Sequence, residues 1–223
     1  MRTSIGHEPD CWLHKLEAKL DASEQQLLSN LDSPINIQAF LNTIPYSDDK
    51  FYRNPLRVLR DRKGHCFDGA LFAAMALRRI GHSPLILELI PNERDDDHIL
   101  ALFKQKDGWG AVAQSNFTGL RYREPIYRSL RELVMSYFED FFNSTGEKTL
   151  RGYRGPINLS IFDQLDWSCS DAGLETLADG MERYRIHPLI TQEMAYRLCL
   201  KDERSLKAGL LGANPEGLFK VSG

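Results

Sequence analysis

The sequence predicts an α+β fold in which one central helix packs on a small antiparallel sheet, with further helices from both ends of the chain. Three observations carry this. The run from Cys66 to Ile80 is Ala, Leu, Phe and Met on nearly every side, the mark of a buried helix. Three short apolar segments follow, Pro84 to Ile90, His98 to Phe103 and Trp109 to about Ser115, separated by the acidic turn Asn92 to Asp97 and the hairpin signal Lys106-Asp107-Gly108. Helical spacing then recurs on either side of this block.

On the N-terminal side, Trp12, Leu13, Leu16 and Leu20, then Leu27, Leu28 and Leu31, predict two helices, with Asp21 and Ser23 as cap residues between them. Ile35 to Ile44 is a third helix ended by Pro45, and Tyr46 to Lys50 is a loop. Asn54-Pro55 marks a boundary, after which Leu56, Val58 and Leu59 predict a short helix or turn that runs into the basic loop Arg60 to Gly64. The central helix ends at Arg78-Arg79 and Gly81, cations and a left-handed residue where a C-terminus favours them. Beyond the strands, Ser129-Leu130-Arg131-Glu132 is a capping box for a helix reaching about Phe142. Ser144 to Gly155 reads as a linker, Ile157 to Phe162 as a strand, and the segments from Leu174 and Leu189 as helices. The expected organisation is one domain over 1–223: a core at about 50–120, a helical N-terminal cover at about 8–45 and a mostly helical C-terminal extension at about 128–223.

A net charge of −3 and a sequence pI of about 6.1 provide no overall attraction for nucleic acid or anionic lipid. No segment approaches the roughly 20 apolar residues of a membrane span. Cys11, Cys66, Cys169 and Cys199 are scattered, without metal-type spacing, and no apolar leader follows Met1, so the expected setting is cytoplasmic and free of disulfides. No phosphate-cradling glycine loop or dinucleotide fingerprint is present, and no cofactor or metal is expected.

Cys66 stands where the central helix begins, and a helix N-terminus stabilises a thiolate through unpaired N–H groups and partial positive charge. Arg60, Arg62 and Lys63 just before it add potential of the same sign. His98 opens an interior strand, where an imidazole needs a partner. Beside the start of the helix it would take the thiol proton and return it to a leaving group.

These residues resemble the transglutaminase-like superfamily: Gly64-His65-Cys66-Phe67-Asp68-Gly69-Ala70 as the helix start, Leu77 to Gly81 as its end, a strand through Glu88, then His98 and Gly108-Trp109. The resemblance covers about 50–120. It implies a papain-like α+β core and thiol acyl chemistry on a peptide, amide or isopeptide, by hydrolysis or by transfer to an amine. Where the family places an acid after the hairpin Trp, this chain has Ala111 to Asn116 and no acid. A two-residue turn at Asp107-Gly108 sets Leu100 opposite Ser115, whereas a three-residue loop ending at a left-handed Gly108 sets Asn116 opposite His98. Asn116 is the preferred orienter of the imidazole and Ser115 the other. Trp109, Arg121 and Arg123 are candidate substrate contacts, and Arg121 to Arg131 interleaves cations with aromatics in a way that suits an acidic substrate or plain salt bridges. The missing acid supports the other reading, a binding module without catalysis for a peptide or an anionic ligand.

Overall fold

Fourteen residues, Cys66–Arg79, form the central helix, here α5, and its body from Cys66 to Leu77 is buried on every side. In the computed structural model, residues 11–220 are described; residues 8–10 of the expected N-terminal cover and the Cys11 side chain lie outside them. Before α5 come α1 (Cys11–Glu17), α2 (Ala22–Ser29), α3 (Pro34–Leu41) and α4 (Pro55–Asp61). Asp21 caps α2 as expected, accepting from Glu24 N–H at 2.8 Å, and at the Asn54-Pro55 boundary the Asn54 side chain caps α4 by accepting from Arg57 N–H at 3.0 Å.

The expected three strands are β1 (Leu85–Pro91), β2 (His98–Gln105) and β3 (Gly108–Val112), followed by β4 (Arg123–Tyr127). The segment expected as a linker and helical extension supplies two more. β5 (Leu150–Asn158) pairs along β1, and β6 (Ile186–Pro188) pairs with β5, so the sheet order is β4-β3-β2-β1-β5-β6 with every pair antiparallel. The polar and charged residues of β5 mask its strand character, and β1 supplies the partner that short-range pattern does not reveal. The strand expected at Ile157 to Phe162 ends at Asn158, whose side chain accepts from Ser160 N–H and starts a 3₁₀ helix, Leu159–Leu165.

Both sheet faces are covered. Ile86, Ile99, Ala101, Phe103, Val112 and Ile157 pack with α5. Leu87, Leu89, Leu100, Leu102 and Ala111 pack on the other face against Leu133, Val134, Tyr137 and Phe141. This alternation explains why β2 reads as a continuous apolar run. α6 (Leu130–Met135) stops well before Phe142, because Tyr137, Phe138 and Asp140 donate three residues back rather than four.

The remaining helices are α7 (Leu174–Met181), α8 (Gln192–Tyr196) and α9 (Glu203–Gly209), then a 3₁₀ turn at Pro215–Gly217. α7 buries Leu174, Leu177 and Met181, whereas α8 and α9 bury nothing. No helix among the described residues is long and apolar enough to cross a membrane.

Candidate ligand site at the start of the central helix

Cys66 is the first residue of α5, where His65 N–H donates to the carboxylate of Asp68 at 3.3 Å. Asp68 is fully buried and also accepts from Arg53 N–H at 2.7 Å, which ties the loop before α4 to the helix start. Gly69 lets the helix approach the segment that follows β3, since a Cβ there would lie 2.2 Å from Cβ of Gln114.

The structure does not bring Cys66 and His98 together. Ile99 and Ala101 face α5, so His98 shares the opposite face with Leu100 and lies across from Leu89. Its ring is buried there, and Nε2 donates to the Leu120 carbonyl at 2.8 Å. Burial holds the imidazole neutral, with its pKa lowered to about 4. Cys66 Sγ instead approaches the Asp97 carbonyl at 3.9 Å.

Burial also pushes the thiol far above its ordinary value, and the charges of Asp97 and Asp96 push it the same way. A helix terminus contributes only about 0.3–1 kcal/mol, less than one pKa unit, whereas full burial shifts a group by roughly 3–5 units. Burial wins. The basic loop does not offset it: Arg60 pairs with Glu24 at 2.7 Å, Arg62 lies over the Phe40 ring, and Lys63 pairs with Asp49 at 3.1 Å.

The hairpin register differs from both expected ones. Gln105 pairs with Gly108, the turn is Lys106-Asp107, and it is Lys106 that adopts the left-handed conformation at φ 52°. Continued past Val112, this register sets Ser115 across from His98. Neither proposed orienter touches the ring through a hydrogen bond. Ser115 Oγ accepts from Phe117 N–H at 3.0 Å. Asn116 donates to Asn214 O at 2.8 Å and accepts from Asn214 N–H at 2.7 Å.

The candidate substrate contacts also serve the fold. Arg121 donates to Asn42 and to the Ser115 carbonyl, Arg123 donates to Ser136 and the Gly119 carbonyl over the Tyr137 ring, and Lys104 sits over the Trp109 ring. None of the three lines the main cavity.

That cavity, about 630 Å³, opens beside Cys66. Its walls carry nine carboxylates against two cations, Lys50 and Arg154, and Arg154 is held by Glu88 at 2.6 Å. Among the described residues, Asp96, Asp97, Glu175, Asp179 and Glu182 make no ion pair. Burial, with Asp96 and Glu88 alongside, raises the Asp97 carboxyl well above the usual carboxylate range. Tyr46, Tyr52, Phe67 and Met181 add apolar surface between the acids. The expected anionic ligand is therefore corrected: this lining repels anions and attracts cations. The sequence carried a trace of it in the i, i+4 spacing of Glu175 and Asp179, but an acidic helix face signals solvent until the fold sets it across from Asp97.

No protein-family model matches the chain, and no curated protein matches it. Among solved structures it is similar to Legionella pneumophila LapG in calcium-bound, EGTA-treated and further forms, at 13% identity, over 47% of this chain and 68–70% of LapG, with a TM-score of 0.34. The fold and the site described above stand on this chain's own residues.

Proposed function

We propose that the cavity beside Cys66 binds a lysine- or arginine-bearing peptide segment, on a transglutaminase-like fold that uses Cys66 as a neutral part of the wall. The observation that carries this reading is the set of carboxylates without ion-pair partners on two walls of one cavity, Asp96 and Asp97 on the sheet side and Glu175, Asp179 and Glu182 along α7. A primary ammonium or guanidinium satisfies them, and the aliphatic stem of either side chain lies against the tyrosines and Met181.

Calorimetry with a short peptide of alternating lysine and arginine tests it. Binding is expected, weakening with salt. With partly exposed charge pairs contributing about 0.2–1 kcal/mol each, the variant Glu175→Gln, Asp179→Asn, Glu182→Gln loses about tenfold in affinity. Equal binding of a glutamate-rich peptide, or no loss in the triple variant, overturns the reading.

Thiol acyl chemistry is the second reading, favoured by the position of Cys66 at the first turn of α5 in the cavity wall. It requires a thiolate and a base within reach. Alkylation of Cys66 by iodoacetamide at pH 6–7, faster than Cys199 and dependent on His98, is the result that replaces binding with catalysis.

A further inference from the structure

The cavity has one wall built differently from the rest. Glu216, Gly217, Leu218 and Phe219 line it, and Gly217 and Phe219 also line a smaller pocket, about 50 Å³, that holds His98, Ser115 and Asn116. Tyr46, Asp96 and Asp97 border both spaces. The segment from Asn214 to Phe219 therefore runs over the junction of the Cys66 cavity and the His98 pocket.

Its attachment is concentrated at one point. Asn116 holds Asn214 by both backbone groups, through the 2.8 Å and 2.7 Å bonds, and Asn214 Nδ2 donates to the Tyr46 carbonyl at 3.2 Å. Gly217 lies flat on the Tyr46 ring, where a Cβ would come within 2.9 Å of Cδ1. The 3₁₀ turn at Pro215–Gly217 buries no residue, and Phe219 is 39% exposed. Upstream, α9 is held by Thr118, whose N–H donates to the Gly209 carbonyl at 2.9 Å and whose hydroxyl donates to the Ala208 carbonyl at 3.1 Å. An element with few buried apolar contacts and a few localised hydrogen bonds opens at lower cost than the core it covers.

We infer that Asn214–Phe219 is a releasable strap over the ligand cavity, latched by Asn116 and Tyr46, and that its opening joins the Cys66 cavity to the His98 pocket. As a gate for ligand, the strap rests on the reading of this cavity as the binding site. Asn116 is a positioning residue: it acts through Asn214, with both halves of its amide committed there. A bound basic segment competes with the strap for the same mouth, so release and binding are linked.

The test needs no ligand. Asn116→Ala removes the latch, and Gly217→Val drives a side chain into the Tyr46 ring from the strap itself, outside the core. Peptide mass mapping follows modification of Cys66 at pH 9 by iodoacetamide and by the bulkier fluorescein maleimide. Asn116→Ala is expected to speed the bulky reagent at Cys66 by at least about tenfold, the effect of losing two hydrogen bonds, and Gly217→Val to speed it in the same direction by overpacking against Tyr46, each with a smaller gain for iodoacetamide. Cys199 keeps its rate, and the melting temperature stays close to that of the parent. An unchanged bulky-reagent rate in both variants overturns the strap, as does a joint rise at Cys66 and Cys169 with a lower melting temperature, which is general loosening. If the strap variants open Cys66 while the basic peptide fails to bind, the strap stands and the cation reading falls; peptide binding without any change at Cys66 gives the reverse.

Discussion

Cys66 shows how burial outweighs the local electrostatics of a helix start at a single residue. The helix start favours a thiolate, but removal from water and the nearby acids favour the thiol. Cys66 is accordingly expected to alkylate more slowly than exposed Cys199 at pH 7, measured by mass mapping; a faster Cys66 reverses this account. The acids themselves carry a pH signature. Asp68, raised to about 7, and Asp97 hold protons more tightly in the folded chain than in the unfolded one, so their stabilisation is full below about pH 4 and is lost as pH rises. His65 and His98, lowered to about 4, act oppositely between about pH 4 and 6.5, where only the unfolded chain takes up protons. Above pH 6.5 the carboxyls act alone. The melting temperature is expected to fall from pH 6.5 to 8, and Asp97→Asn to flatten that fall; a flat or rising profile in the parent contradicts it.

At the scale of elements, α5 and its neighbours are decided by close approach. Gly69 costs the helix about 1 kcal/mol in propensity relative to Ala. Its Cβ would meet Gln114 at 2.2 Å, however, and overpacking of this kind costs about 1–3 kcal/mol or more. Gly69→Ala is expected to destabilise the protein in a denaturant titration, and a gain in stability shows that Gln114 moves aside freely. The hairpin teaches a related lesson. Lys106-Asp107-Gly108 announces a turn, but one residue of difference in where it closes moves the residue across from His98 between Asn116 and Ser115. Period 2 then sends His98 to the face opposite Cys66, so two residues with the right spacing in the chain finish on different sides of one sheet.

For the whole molecule, a net charge of −3 conceals its distribution. Cations are spent on the fold, with Arg60 on Glu24, Arg78 on Asp163 and Arg123 over Tyr137, while unpaired acids gather around one cavity. The pH dependence of binding belongs at this scale. Because Asp97 ionises only at raised pH, affinity for the basic peptide is expected to increase from pH 6.5 to 8.5 at constant salt, read by calorimetry, and a decrease contradicts the assignment of Asp97 to the cation site.

The sequence by itself determined the α+β class, the buried central helix, the first three strands and the cap of the second helix, because these depend on short-range periodicity and on side chains that bond within a few residues. Only the tertiary structure decided that β5 completes the sheet beside β1, that Asn116 holds Asn214 rather than His98, and that Glu175 and Asp179 face Asp97. Those outcomes join residues tens of positions apart, and no local pattern encodes which distant partner satisfies a buried amide or which wall an acidic helix will face.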